Sequence, residues 1–300
     1  MKINKMKNIK TQSILIILIF ILIVILFVFT PLFKSIYNFI ENFNDENNAN
    51  TILPLQLPLS YDVIIVGCAR NIESHLSNTK EKLNMLNSLF KNSKIIIYEN
   101  DSNDKTLDIL KDWENEKLIQ LITEKDVKGS RTEILAYARQ LLYIEAMKHK
   151  FDLLIVIDLD NVISDLSKES IISCFNLKED WAMLGGNQTV KYYDLWALRT
   201  FDDWMSFDCL TCRDYEKKSE DYCLNDRLKI INQNSEPIQV ISCFGGIGIY
   251  KREYLDNCSY GKGTQDYNGI LLYICEHVDF NKCITNNGGK IYINPKLINH

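Results

Sequence analysis

The sequence predicts an α/β domain built on a mostly parallel sheet, preceded by one membrane-spanning helix. Three observations carry that prediction: short apolar runs alternate with helical periodicity between residues 61 and 157, polar clusters follow three of those runs, and one long apolar stretch lies near the N-terminus. The 300 residues are 46% hydrophobic and 24% charged, which excludes collagen-like, disordered and low-complexity classes for most of the chain. A net charge of −5, from 39 Asp and Glu against 34 Lys and Arg, argues against a non-specific nucleic-acid binder.

The N-terminal stretch comes first in chain order. Residues 14–29 are all apolar and the run continues to Phe33, about 20 residues, enough to cross a hydrocarbon core of ~30 Å. Lys2, Lys5, Lys7 and Lys10 precede it, whereas Lys34 is soon followed by Glu41, Asp45 and Glu46. The positive-inside bias leaves 1–12 as a cytoplasmic tail, 13–33 as an uncleaved signal-anchor in the lipid bilayer, and the rest across the membrane. No small-residue cleavage site follows the run. Residues 34–60 are Asn-rich, then Pro-punctuated, and read as a stem. The folded unit is expected over 61–300.

Within that unit, 62–67 (DVIIVG) is a continuous apolar run, the form of a strand covered on both faces. Ile72, Leu76, Leu83, Leu86 and Phe90 then recur at helical spacing. A strand at 94–98, a helix at 106–113, a strand at 118–122, a helix at 131–148 and a strand at 153–157 follow. This alternation implies parallel strands with right-handed crossovers, whose ligands bind beyond the strands' carboxyl ends. Polar clusters stand at three such ends: Cys68-Ala69-Arg70-Asn71, Glu99 through Asp104, and Asp158-Leu159-Asp160-Asn161.

The last cluster says most. Strand alternation sends Asp158 and Asp160 to one side with Leu159 facing inward. Two carboxylates so placed repel unless a cation joins them, and hard oxygen ligands suit Mg2+ or Mn2+ shared with a substrate's phosphates. The competing reading is that they merely cap the next segment.

Taken in order, CARN, ENDSNDKT, GSRTEILAYARQ, IDLDN, Tyr193 through Arg199, CFGGIGIY and Cys275 through Phe280 resemble the GT-A glycosyltransferases. More narrowly, they are similar to the fungal capsule-associated α-mannosyltransferase-like proteins. The resemblance covers about 61–298 and implies a GT-A, Rossmann-like fold with a mostly parallel central sheet flanked by helices. It also implies a nucleotide-sugar donor, with GDP-mannose favoured, a glycan or glycoprotein acceptor, and a divalent cation on the donor diphosphate. Asp158 and Asp160 then hold the metal. Arg70, Glu99, Asp101, Arg131, Asp158, Gly245 and Gly246 are expected around the donor. Asp194 and Glu276 are the expected catalytic carboxylates, with Trp196 and Arg199 on the acceptor side. His277 is either a third metal ligand or a structural residue, and the glycine pair either admits a ligand or makes a tight bend. Asp104 is either part of the donor cluster or the N-cap of the helix at 106–113. Inversion and retention stay open.

All nine Cys lie in the expected domain. Cys209, Cys212 and Cys223 read better as disulfide formers on an irregular loop than as zinc ligands, and an odd total leaves a thiol unpaired within the chain. Cys68 and Cys275 read as small buried residues. Asn187-Gln188-Thr189 and Asn257-Cys258-Ser259 match the N-glycosylation pattern of a lumenal domain. Two other functions compete: a non-catalytic glycan-binding adaptor on a membrane tether, and a nucleotidyltransferase. The intact Asp pair weighs against the first. The missing Gly-rich phosphate loop after the first strand weighs against the second.

Overall fold

The computed structural model describes residues 56–267 and 269–300. The predicted tail, the membrane span and the stem up to residue 55 lie outside the described residues. Among the described residues no helix is long and apolar enough to cross a membrane.

The first half supplies β1 (Leu59–Ala69), β2 (Phe90–Asn100), β3 (Gln120–Glu124) and β4 (Leu153–Ile157). The second half adds β5 (Met183–Asn187), β6 (Ile238–Val240), β7 (Ile247–Lys251), β8 (Thr264–Tyr267), β9 (Ile270–Tyr273) and β10 (Ile291–Ile298). Eight strands form one sheet in the order β3-β2-β1-β4-β7-β5-β10-β6, and β8 and β9 form a separate hairpin. Strands β1 to β4 are mutually parallel, as the alternation predicts. Strand β7 runs antiparallel between β4 and β5, β5 and β10 are parallel, and β6 closes the edge antiparallel. The fold is therefore mixed α/β with a mostly parallel central sheet.

The helices are α1 (Leu76–Leu89), α2 (Thr106–Asn115), α3 (Arg131–Met147), α4 (Lys168–Ser173), α5 (Glu220–Cys223) and α6 (Glu276–Asn286). Ile64, Val66, Ile96, Tyr98, Leu154 and Val156 share one core cluster with Ala138, Leu142 and Ala146 of α3. The intervening Ile65, Ile97 and Ile155 are equally buried and point to the opposite face. Burial on both faces is why these strands read as unbroken apolar runs. Truncating any of these Ile or Leu side chains to Ala costs about 2–5 kcal/mol.

Several boundaries differ from expectation. Phe90, placed on the first helix by its spacing, is the first residue of β2. The third strand starts two residues late because the chain is still leaving α2. Lys117 takes φ +62° and the Leu118 N–H donates to the Trp113 carbonyl at 2.9 Å. Asp104 accepts from the Thr106 N–H at 2.9 Å, so it caps the backbone of α2 from one residue before the helix's flanking Lys105. Helix α3 starts from a capping box: the Glu133 N–H donates to Ser130 Oγ at 3.4 Å and Glu133 Oε2 accepts from the Ser130 N–H at 2.8 Å, an arrangement worth ~1 kcal/mol.

Cys212 pairs with Cys223 and Cys258 with Cys283, while Cys68, Cys174, Cys209, Cys243 and Cys275 are free thiols. Cys209 is fully buried and takes no part in a metal cluster among the described residues. Asn187 is also fully buried, and its amide donates to the Ile231 and Pro295 carbonyls at 3.1 and 2.9 Å. That corrects its reading as a glycan acceptor, because the nitrogen is out of reach in the folded chain. Asn257 is exposed.

Candidate active site

The carboxyl ends of β1, β2 and β4 converge on a cleft of about 370 Å³, closed on one side by the first turns of α3. Strand β4 ends where Asp158 replaces its apolar run. Leu159 turns inward, 2% exposed, and rests on Gly67: a Cβ at that glycine would lie 2.7 Å from Leu159 Cγ. The Leu159 carbonyl accepts from Thr79 Oγ1 at 2.8 Å. With the turn fixed from below, Asp158 and Asp160 both line the cleft, as alternation requires.

Asp158 Oδ1 accepts from Arg139 Nη2 at 2.9 Å, and its second oxygen takes no hydrogen bond from the described residues. Burial pushes its carboxyl up to about 7. Arg139 opposes that rise, while Asp160, Asp194 and Glu276 add to it. Asp160 is exposed and its Oδ1 accepts from the Val162 N–H at 3.1 Å, capping a short 3-10 turn. The capping and functional readings of the pair thus coexist, since each carboxylate keeps one oxygen for the cleft. Two hard oxygens lining the cleft fit a Mg2+ or Mn2+ ion that completes its shell with substrate and water.

Arg70, just past β1, and Arg131, at the start of α3, face the same cleft and are exposed. Neither has a carboxylate within 4.0 Å among the described residues, so both guanidinium forks are free for an anion. Ile72, Ile134, Leu135 and Ala138 provide the apolar wall, and Asn100 and Cys68 complete the lining. Cys68 is therefore a cleft residue rather than simply buried, and burial pushes its thiol up to about 12.

The other expected donor residues serve the chain itself. Glu99 is 1% exposed, its oxygens accepting from the Ser102 N–H at 2.9 Å and Thr123 Oγ1 at 3.1 Å. Asp101, at φ +52°, accepts from Asn100 and from the Asp126 and Val127 N–H groups at 3.0, 2.6 and 3.1 Å. Those bonds, Asn100's first, hold its carboxyl below the usual range. Gly245 and Gly246 adopt φ +70° and +90°. Side chains there would strike the Gly186 carbonyl at 2.6 Å and Asn299 Nδ2 at 2.7 Å, so this is a tight bend packed on protein. It still serves the site, because the Gly246 carbonyl accepts the Asp158 N–H at 2.9 Å.

Both expected catalytic carboxylates are also committed to protein. Asp194 accepts from the Ala197 N–H at 3.3 Å and from the Gly245 N–H at 2.8 Å, pinning the glycine bend. Burial raises its carboxyl against those two bonds. Glu276 is 3% exposed at the start of α6 and does not line the cleft. Its Oε1 lies 3.2 Å from Arg139 Nη1. His277 is buried and stacks on Phe244 at 3.8 Å. Its ring nitrogens have no hydrogen-bond partner among the described residues, and burial, with Arg139's charge, holds it well below the usual His range. It is not grouped with Asp158 and Asp160 as a ligand: among the described residues no three His, Cys, Asp or Glu side chains are placed to hold a metal. Trp196 is half-buried and Arg199 pairs with Asp208 while donating to the Trp196 and Leu198 carbonyls.

Arg139 is the residue that the sequence reading passed over. It lies between Asp158 and Glu276 and its guanidinium sits 4.8 Å above the Phe244 ring. A signal existed: Thr132, Ala136, Arg139, Tyr143 and Ala146 fall at alternating spacings of four and three along α3, and all five are buried, as are Ala138 and Leu142. An arginine on the core-facing stripe needs an anion.

No protein-family model and no curated protein matches the chain. Solved structures align with it in part. The mannosyltransferase PcManGT from Pyrobaculum calidifontis, in complex with GDP-Man and Mn2+, aligns at 12% identity and TM-score 0.43, over 87% of this chain and 63% of its own. S. aureus TarS 1-349 aligns at 10% identity and TM-score 0.42, over 77% of this chain and 57% of its own. Glucosyl-3-phosphoglycerate synthase from M. tuberculosis aligns at 13% identity and TM-score 0.36, over 66% and 60%. The chain thus spans less than two thirds of the length of each of these proteins.

Proposed function

We propose that residues 61–300 form a metal-dependent glycosyltransferase that moves a hexose, mannose favoured, from a nucleotide sugar to a hydroxyl of a glycan or glycoconjugate. One observation carries the reading: Asp158 and Asp160 share a cleft with the free forks of Arg70 and Arg131. Paired acids opposite unpaired guanidinium groups complement a diphosphate bridged by a cation.

Asp158 and Asp160 would hold the cation, which when bound neutralises charge building on the leaving diphosphate. Arg70 and Arg131 bind the outer phosphate oxygens and orient the donor. Ile72, Ile134 and Leu135 exclude water along the other wall, which strengthens those charge contacts. Asp194 acts through the glycine bend, and Glu276 through Arg139.

The same proposal places 13–33 in an ER- or Golgi-type membrane with the domain in the lumen. The Cys212–Cys223 and Cys258–Cys283 bridges support an oxidising compartment. Protease added outside sealed vesicles is then expected to spare everything after Phe33, and its digestion contradicts the topology.

The function is tested by binding of GDP and UDP to the full chain with and without Mn2+. Binding that requires Mn2+ and disappears in Asp160→Asn supports it. Nucleotide binding indifferent to the metal contradicts it, and so does the absence of any binding.

A further inference from the structure

Arg139 has two partners on separate elements. Nη2 donates to Asp158 Oδ1 at the end of β4 at 2.9 Å, and Nη1 forms an ion pair with Glu276 Oε1 on α6 at 3.2 Å, outside hydrogen-bond geometry. Its side chain is 8% exposed and Glu276's is 4% exposed, whereas Asp158 keeps 31% of its side chain open to the cleft. Phe244 covers one guanidinium face at 4.8 Å. The arginine is thus held on one side by a buried carboxylate and an aromatic ring, and presents its other prong to a carboxylate that faces the cleft.

We propose that Arg139 is a positioning residue, anchored by Glu276, that clamps one oxygen of Asp158 and so aims the other at a divalent cation. This rests on the metal-site reading above. A free aspartate loses side-chain freedom when it takes up a metal, and a rigid fork already holding Oδ1 removes that cost beforehand. The fork sets a separate nitrogen against each carboxylate, which the single nitrogen of a lysine does not reproduce. Charge alone acts both ways, because a cation beside Asp158 repels the metal yet favours the ionised carboxylate that a metal needs; Arg139→Lys, which keeps the charge, therefore isolates the fork.

The test titrates Mn2+ alone into the full chain and follows the free-ion paramagnetic resonance signal. Two variants are compared with the unaltered protein. Arg139→Lys keeps the charge and loses the fork; Arg139→Gln combined with Glu276→Gln removes the clamp without stranding a buried carboxylate. Both are expected to bind Mn2+ about 3- to 10-fold more weakly. If either folded variant binds as tightly as the unaltered protein, or more tightly, the positioning role is wrong while the metal site stands. Circular dichroism checks folding, and should one variant fail to fold, the other decides. If the unaltered protein takes up no Mn2+, the metal-site reading falls and this inference falls with it.

Discussion

Arg139 Nη2 donates to Asp158 Oδ1 at 2.9 Å, linking a helix in the sheet's covering layer to the strand end that faces the cleft. The same arginine lies 3.2 Å from Glu276 Oε1, so three charged groups from three elements meet where most of the surrounding surface is apolar. Such a cluster stands only while complete. Arg139→Met leaves Glu276 buried and uncompensated, and is expected to cost about 3–5 kcal/mol in urea unfolding. Adding Glu276→Met is expected to restore most of that loss. A double variant no more stable than the single one contradicts this account of the cluster.

The glycine bend predicts a second stability effect. Gly246 sits at φ +90°, and a Cβ there would lie 2.7 Å from Asn299 Nδ2 and 3.0 Å from Val162 Cγ2. Gly246→Ala is expected to destabilise the domain by about 1–3 kcal/mol. It is also expected to weaken nucleotide binding, because the Gly246 carbonyl holds the Asp158 backbone. A melting temperature equal to that of the unaltered protein contradicts the packing described.

Asp158 also sets a pH dependence. Its carboxyl lies at about 7 in the folded metal-free chain against 3.8 as the ordinary value. Between those values the folded state holds a proton that the unfolded state has released, so the stability from Asp158 falls as pH rises through about 7. A cation needs the ionised form, and Mn2+ binding moves the other way. Titrations at pH 6 and 8 are expected to differ about tenfold, tighter at pH 8. Equal affinities, or a slope that survives in Asp158→Asn, contradict the assignment.

The bridges make a chemical prediction. Alkylation of the unfolded, unreduced chain is expected to label five cysteines, and prior reduction to raise that to nine. The closed loops join residues 11 and 25 positions apart, so each bridge contributes roughly 3 kcal/mol. Reductant should accordingly lower the melting temperature. Nine labels without reductant contradict the pairing.

Much of the first half was legible in the sequence, for a physical reason. Strands covered on both faces must be continuous apolar runs, so Leu153–Ile157 shows itself, and two acids at its end stand out against it. The second half obeys no such simple period. Strand β7 enters the sheet reversed, and β5 ends in Gly185, Gly186 and Asn187, buried by close approach to Cys243, Ile247 and Asn299 rather than by hydrophobicity. Site residues divide the same way. Asp158, Asp160, Arg70 and Arg131 are placed by strand ends and a helix start. Asp101, Asp194 and Glu276 are acids whose partners come from distant segments, and local sequence does not show that those partners are protein. Arg139 was readable only as a charge on a buried stripe.

The central claim is that Asp158 and Asp160 hold a cation against a nucleotide sugar's diphosphate. Its most direct test is release of nucleoside diphosphate by the full chain from GDP-mannose and a panel of other nucleotide sugars, with and without Mn2+. The account predicts metal-dependent release from at least one donor and its loss in Asp160→Asn, a change that keeps the cap to Val162. Equal release by that variant, or none from any donor by the unaltered protein, would contradict it.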